Sequence, residues 1–321
     1  VITRAEKFCG ALLGTHVGDA LGMPLEGASA AAIKKNYGQV REMLDARLGA
    51  GTYTDDTEMM IALAESLVRS QGMNGADLAH SFLENFNPLR GYGAGSRKAM
   101  ELLRAGISWK EAGKRIFEGG SYGNGAAMRI APLGCLYCHD PRELQEAARV
   151  SCLVTHAHPW GQEGALLQAY SVALAVNADP ARGLERGQFL DSLENLLEPD
   201  SPFLEKTAVM RKLLDQDMQL EDVANVLGND SRALTSVPAA IFSFLRNCQD
   251  FEETVVYAVG IGGDTDTIAA MAGAMAGAFH GKGAIPGRWL DSLERGEKGA
   301  DYIEQLALNL YELHQEFNPG S

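Results

Sequence analysis

Apolar residues recur at helical spacing along nearly the whole chain. In 57–70, Met60, Leu63, Ala64, Leu67 and Val68 fall at i, i+3, i+4, i+7 and i+8, one face of an amphipathic helix. Leu166, Ala169, Tyr170, Ala173 and Leu174 repeat that spacing within 162–176. The run 267–280 is different: it is apolar all round and ends at Gly281, a C-terminal cap signal. A helix of that kind is buried on every side, and Gly273 and Gly277 would let neighbouring backbones come close. Strand-like alternation is scarce. Breakers separate the runs at Gly91–Gly95, Gly119–Gly125, Pro159–Gly161 and Glu198–Pro202, and none is long enough for an interdomain linker. No internal repeat of roughly 20–50 residues is present. The pattern predicts an all-α protein folded as a single domain over residues 1–321.

Composition narrows the function. A chain of 321 residues can bury a core without disulfides or a structural metal. The net charge of −14 argues against a surface that coats nucleic acid, which would need a basic footprint. A phosphate-containing ligand stays possible, because metal ions or backbone amides can neutralise it locally. Five scattered cysteines, an odd number, point to a reducing, cytoplasmic setting. Arg4 and Lys7 precede the apolar Phe8–Gly14, but His16 and Asp19 follow at once, so the start reads as a helix of the mature protein rather than a signal peptide. No 18-residue apolar stretch lacks a charge, so no membrane span is expected.

Two short segments carry unusual chemistry. Thr54-Asp55-Asp56-Thr57 precedes the 57–70 helix, and Gly262-Gly263-Asp264-Thr265-Asp266-Thr267 precedes the buried 267–280 run. Helix capping accounts for one residue at each place, since its oxygen accepts from a free backbone N–H and complements the helix dipole. Each segment supplies two carboxylates, however, and the second pair enters poorly hydrated surroundings where charge needs partners or metal. Four converging carboxylates repel one another unless cations lie between them. An all-oxygen donor set suits Mg²⁺, Mn²⁺ or Ca²⁺ rather than Zn²⁺. Four such groups can hold two divalent ions ~3.5–4 Å apart.

Other features are weaker. The loop Gly119-Gly120-Ser121-Tyr122-Gly123-Asn124-Gly125 can form a concave anion site from its backbone N–H groups, though it also fits an ordinary loop. It lacks the lysine of a P-loop and the strand of a Rossmann turn. His156 and His158 are spaced as a metal pair, but a packing or site role for His156 is favoured. Cys135-Leu136-Tyr137-Cys138-His139 matches the C-x-x-C-H haem-attachment pattern. Nothing else in the chain marks a haem pocket, and the match is read as coincidence.

With these residues laid out, the sequence resembles the ADP-ribosylglycohydrolase family over nearly its whole length. The matching segments are Gly18-Asp19-Ala20 with Glu26 following, Thr54–Thr57, Arg90-Gly91-Tyr92-Gly93-Ala94-Gly95, Gly120–Arg129, Thr155-His156-Ala157, Ser236–Ile241 and Gly262–Thr267, in that order. Two glycine-rich segments look most like the third vertebrate type, which acts on serine-linked ADP-ribose, poly-ADP-ribose and O-acetyl-ADP-ribose. The resemblance implies an all-helical single-domain fold with a two-metal cleft. It implies that Thr54, Asp55, Asp56, Asp264, Asp266 and Thr267 ligate two divalent ions, Mg²⁺ or Mn²⁺. Glu26 would be the mobile carboxylate that reaches the metals without substrate. Residues 119–125 would hold the pyrophosphate and distal ribose, with Phe117 and His156 nearby. Ser231 stands where an apolar residue touching adenine would be expected, and Trp160, Gln162 and the region 183–235 also depart from the vertebrate pattern.

The expected activity is therefore metal-dependent cleavage of the glycosidic bond between ADP-ribose and its acceptor. O-linked acceptors are favoured and arginine linkage is possible. Asp55 or Asp264 would take the water's proton, with Glu26 assisting departure of the acceptor or gating the site. ADP-ribosylated proteins or poly-ADP-ribose would be the partners of a monomer that binds neither nucleic acid nor membrane. Two rival readings use the same residues: a two-metal phosphoesterase acting on nucleotides, and a catalytically inactive relative that binds ADP-ribose.

Overall fold

The computed structural model describes residues 2–318. Helix α1 (Arg4–Gly22) is followed by α2 (Ala30–Tyr37), α3 (Asp55–Ser70), α4 (Gly75–Asn85), α5 (Ala94–Arg104) and the short α6 (Trp109–Ala112). The middle of the chain forms α7 (Ala131–Leu136), α8 (Pro141–Leu153), α9 (Pro159–Asn177), α10 (Arg186–Glu194), α11 (Phe203–Leu213) and α12 (Leu220–Leu227). Then come α13 (Ala233–Arg246), α14 (Phe251–Gly260), α15 (Thr265–His280), α16 (Gly287–Ser292) and α17 (Ala300–Phe317). Short 3-10 turns link several of these, and among the described residues no named strand occurs. The all-α expectation holds.

The three helices read from periodicity are α3, α9 and α15, and each begins a little earlier than its apolar pattern. Polar first turns explain the difference, because apolar spacing does not register them. Thr54 caps α3, His158 caps α9 with Pro159 at the first helical position, and Asp264 opens α15.

Helices α1 and α15 lie antiparallel at the centre with their backbones in contact. A Cβ on Gly10 would overlap the carbonyl of Gly277, one on Gly14 that of Gly273, and one on Gly18 that of Ala269. The next step along α1, Gly22, meets Thr265 and Asp266, and the Thr265 hydroxyl donates to the Gly22 carbonyl at 2.8 Å. Residues lacking a Cβ every fourth position are what allow this approach. Helices α3, α9, α13, α14 and α17 pack around the pair, enclosing a continuous core that includes Phe8, Leu12, Met60, Ile268, Met275 and Trp289. Thr3 and Glu6 form a capping box at the start of α1. The buried Lys7 ammonium donates to the carbonyls of Ala175, Val176 and Ala178, closing the end of α9. Among the described residues no helix is long and apolar enough to cross a membrane.

The glycine contact gives a paired prediction. Gly14→Ala sets a methyl against unyielding backbone, and urea unfolding should show a loss of ~1–3 kcal/mol. Gly187→Ala, in α10, meets only the end of the Arg211 side chain and should raise stability by ~0.5 kcal/mol through lower chain entropy. Equal effects at both positions would refute the close-contact account.

Candidate active site

Asp55 and Asp56 sit inside the first turn of α3, whereas Asp264 precedes α15 at its N-cap and Asp266 lies in its first turn. At α3, the Thr54 hydroxyl accepts from the Asp56 N–H at 3.3 Å and donates to the Asp56 carboxylate at 3.1 Å. Asp19, fully buried on α1, braces this turn from behind. It accepts from the N–H groups of Thr54 at 3.0 Å and Thr57 at 3.1 Å, and from the Thr57 hydroxyl at 2.6 Å. Every oxygen of Asp19 is thus used for positioning, and Asp55 and Asp56 are left free to face the cleft.

At α15, Gly262 and Gly263 both adopt φ +76°, which an L side chain rarely tolerates. Their turn packs against the chain that follows Glu26. Gly263 N–H donates to Ala28 O and Gly27 N–H to Gly263 O, both at 2.8 Å. Glu26 is thereby carried to Asp264 and Asp266, and carboxylate oxygens of all three lie within 4.8 Å of one another. Asp264 occupies the N-cap position, yet its side chain caps nothing. It accepts instead from the Asn124 amide at 2.6 Å. The capping explanation of this segment therefore fails at its first aspartate.

Asn124 connects the glycine-rich loop to the carboxylates. Its amide also donates to Ser236 Oγ at 2.9 Å, and its backbone N–H donates to Ser231 O at 3.0 Å. Gly119 (φ +79°) and Gly120 (φ +86°) turn the chain into this loop. His156 lies beside Gly125, with Nδ1 2.8 Å from the Thr155 hydroxyl. His158 diverges from it to cap α9, so the two histidines do not act as a pair.

A cavity of about 460 Å³ joins these parts. Of the residues marked from sequence, Glu26, Asp55, Asp56, Phe117, Ser121, Tyr122, Gly123, Asn124, Gly125, His156, Ser231, Asp264, Asp266 and Thr267 line it. Thr54, Gly119 and Gly120 do not: Thr54 is buried beside Asp56, and the two glycines shape the loop from outside. Sequence reading assigned no site role to Gly91, Gly93–Gly95 and Met128, although they lie in segments matching the family, and did not mark Ser96 or the cations Arg47 and Arg232, all of which line the cavity. It also gave Asp19 no role, although a lone aspartate in the apolar helix α1 is a visible signal.

The electrostatics are one-sided. Burial, and then the neighbouring carboxylates, push Asp55 up to about 8. The same causes hold Asp56 and Asp266 well above the usual carboxylate range, and burial followed by Asp264 raises Glu26. Asp264 is raised by burial, against hydrogen bonds from Asn124, Asp266 and Thr267. Burial pushes His156 down to about 3, with the buried Arg129 guanidinium adding to the fall, so its ring is neutral. Arg232 is paired with Asp230, which leaves Arg47 as the lining cation without a carboxylate partner among the described residues. Asp56 Oδ1 is buried with no hydrogen-bond partner among the described residues. An orphaned carboxylate oxygen among converging acidic groups, with hydroxyls but no sulfur or imidazole in the set, fits hard divalent cations.

An all-helical scaffold with this acidic cleft is that of a glycohydrolase. The chain belongs to the ADP-ribosylglycohydrolase family, whose model matches residues 1–319. It is 34% identical to the ADP-ribosylhydrolase ARH3 of Bos taurus, covering 97% of this chain and 94% of that protein. Identity to the human ARH3 is 33%, with the same two coverages. An uncharacterized protein of Archaeoglobus fulgidus is 39% identical over 96% of this chain and 97% of its own length. Among solved structures, an ADP-ribosylglycohydrolase-related protein complex superposes with a TM-score of 0.76 at 33% identity, over 97% of this chain and 99% of that one.

The raised carboxylates predict a pH dependence. A folded-state pKa above the unfolded value means that the native chain binds more protons, so stability falls as pH climbs through the raised value. Above about pH 7 the unfolded histidines are largely neutral, as buried His16 and His156 already are in the native chain. Between pH 7 and about 8, chelator-treated protein should therefore lose roughly 1 kcal/mol per titrating carboxyl, read by thermal melts. Mg²⁺ or Mn²⁺ should restore more stability at pH 8 than at pH 7, and a flat profile would contradict the charge assignment.

Proposed function

We propose that this chain is a dimetal hydrolase that releases ADP-ribose from O-linked acceptors, namely serine-ADP-ribose, poly-ADP-ribose or O-acetyl-ADP-ribose, with arginine linkages also within reach. The observation that carries the reading is the convergence of Glu26, Asp264 and Asp266 beside the orphaned Asp56 oxygen, in one cavity with the glycine-rich loop. Its near-full-length likeness to ARH3 proteins supports hydrolysis at ADP-ribose.

Thr54, Asp55, Asp56, Asp264, Asp266 and Thr267 would hold two Mg²⁺ or Mn²⁺ ions, with Glu26 turning to them when substrate is absent. The ions would supply positive charge and Lewis-acid polarisation at the ribose. The chain does the rest. The N–H groups of Ser121, Tyr122 and Gly125 would receive the pyrophosphate, those of Gly123 and Asn124 being taken by Ser121 Oγ and Ser231 O, and the exposed rings of Phe117 and Tyr122 offer apolar faces to the adenine. Neutral His156 packs under the loop without adding charge. Cleavage at the anomeric carbon passes through an oxocarbenium-like state, in which attacking water must lose a proton and the leaving oxygen must gain one. Asp55 or Asp264 takes the first, and Glu26, at the rim with a raised pKa, gives the second.

Arg47 lies on the same cavity and would favour an anionic leaving group there. It packs over Gly91, donates to Arg90 O at 3.3 Å, and opposes the rise in the Glu26 pKa. A phosphate of a departing polymer unit is an anion suited to it.

Mass spectrometry of products from serine-linked, arginine-linked and poly-ADP-ribose substrates tests the function. Free ADP-ribose should appear only with Mg²⁺ or Mn²⁺. AMP or phosphate would establish a phosphoesterase, and binding without release an inactive relative. Asp55→Asn and Asp266→Asn should lower turnover by ~10²-fold or more with helicity intact, and full activity in either would sink the two-metal assignment. Arg47→Ala should slow poly-ADP-ribose cleavage by roughly tenfold more than cleavage of a neutral serine-linked peptide, and an equal loss on both would remove its role in acceptor choice.

A further inference from the structure

The Cys135–His139 run takes no part in the cleft. Cys135 is fully buried in α7, whereas Cys138 and His139 lie just past the end of that helix, against the last turn of α17. There the Cys138 sulfur and one ring nitrogen each of His139 and His314 lie within 4.8 Å of one another. The two imidazole rings are 5.1 Å apart and tilted by 34°. His314 Nδ1 meets the Leu136 carbonyl at 2.8 Å. A carbonyl only accepts, so Nδ1 carries the proton and Nε2 presents a lone pair. Arg4 Nη1 contacts both Nε2 atoms, at 3.3 Å for His314. A guanidinium only donates, so His139 Nε2 presents a lone pair as well. A thiol and two imidazole rings, each with an Nε2 lone pair, therefore meet beside a cation.

Arg4 is held there against its local electrostatics. It is the first residue of α1, at the positive end of the helix dipole, and the Lys7 ammonium repels it. A cavity of about 600 Å³ opens beside it, lined in part by Lys7, Asn177 and Asp179, which offers room and a carboxylate to a displaced guanidinium.

We propose that Cys138, His139 and His314 bind one zinc-class ion, with Arg4 swinging into the neighbouring cavity as the ion enters. Sulfur and imidazole nitrogen are the donors Zn²⁺ takes, and solvent reaches the fourth position past exposed His139. The Leu136 carbonyl keeps His314 in the tautomer that a metal requires. Binding releases the Cys138 thiol proton to solvent and leaves Arg4 charged. The ion ties the end of α7 to the last turn of α17 beside the start of α1, separate in place and in donor chemistry from the acidic cleft.

Co²⁺ is the probe, added to the full chain with the cleft saturated by Mg²⁺. The expected result is a sulfur-to-cobalt charge-transfer band with tetrahedral d–d bands at one equivalent, lost in Cys138→Ser. His139→Ala, at the exposed ligand, should weaken Co²⁺ binding by roughly tenfold or more. Arg4→Met removes the competing cation and should tighten it. The proposal is overturned if the wild-type chain gives no thiolate band, if the band survives Cys138→Ser, or if either of the other variants leaves the affinity unchanged.

Discussion

The backbone contact between α1 and α15 is the constraint on which the rest of the structure depends. Because Gly10, Gly14, Gly18 and Gly22 face Gly277, Gly273, Ala269 and Thr265 in register, the two helices cannot slide without forcing carbonyls into one another. That register places the end of α1 beside the start of α15. Asp19, one turn from the end of α1, then meets the first turn of α3 and holds it. Two helix N-termini are thus brought together by a contact made entirely of small residues elsewhere in the core.

The cost of this convergence is electrostatic. Carboxylates from α3, α15 and the Glu26 segment share one poorly hydrated space, and their raised pKa values record burial first and mutual repulsion second. Helix N-termini, threonine hydroxyls and the Asn124 amide offset part of it. What they leave uncompensated is concentrated on one orphaned oxygen of Asp56. A protein stores such strain where a ligand relieves it, and the glycine pair at 262–263 shows how much local geometry is committed to keeping the charges close.

Much of this was legible beforehand because it depends on local pattern. Apolar periodicity located α3, α9 and α15, and the all-apolar 267–280 run announced a central helix with close glycine contacts. The paired aspartates were visible because capping needs only one residue at each place. What escaped depends on distant segments. Arg47 and Ser96 border the cavity only through tertiary packing, and Gly91 and Gly93–Gly95, visible as a motif, gain their place in the wall the same way. Asp19 stands in a family motif, but its hydrogen bonds to Thr54 and Thr57 span 35 and 38 positions of sequence and leave no periodic trace. Helix starts were displaced for a simpler reason, since the polar residues of a first turn carry no apolar signal.

The two ends of the cleft are held by different means. The acidic end is welded to the central helix pair, whereas the glycine-rich loop hangs on the segment before α13 through the Gly123–Arg232 bridge and the bonds from Asn124 to Ser231 and from Ala233 to Tyr122. Backbone atoms make those bonds, so the side chains of Ser231 and Arg232 can be exchanged without breaking them, whereas the Asn229 amide donates to Ile261 O and belongs to the acidic end. Divergence is therefore free to retune recognition of the nucleotide base while the acidic end is locked against change. A lineage with this architecture can acquire new ligand preferences by drift at one end of the cleft and keep its chemistry at the other.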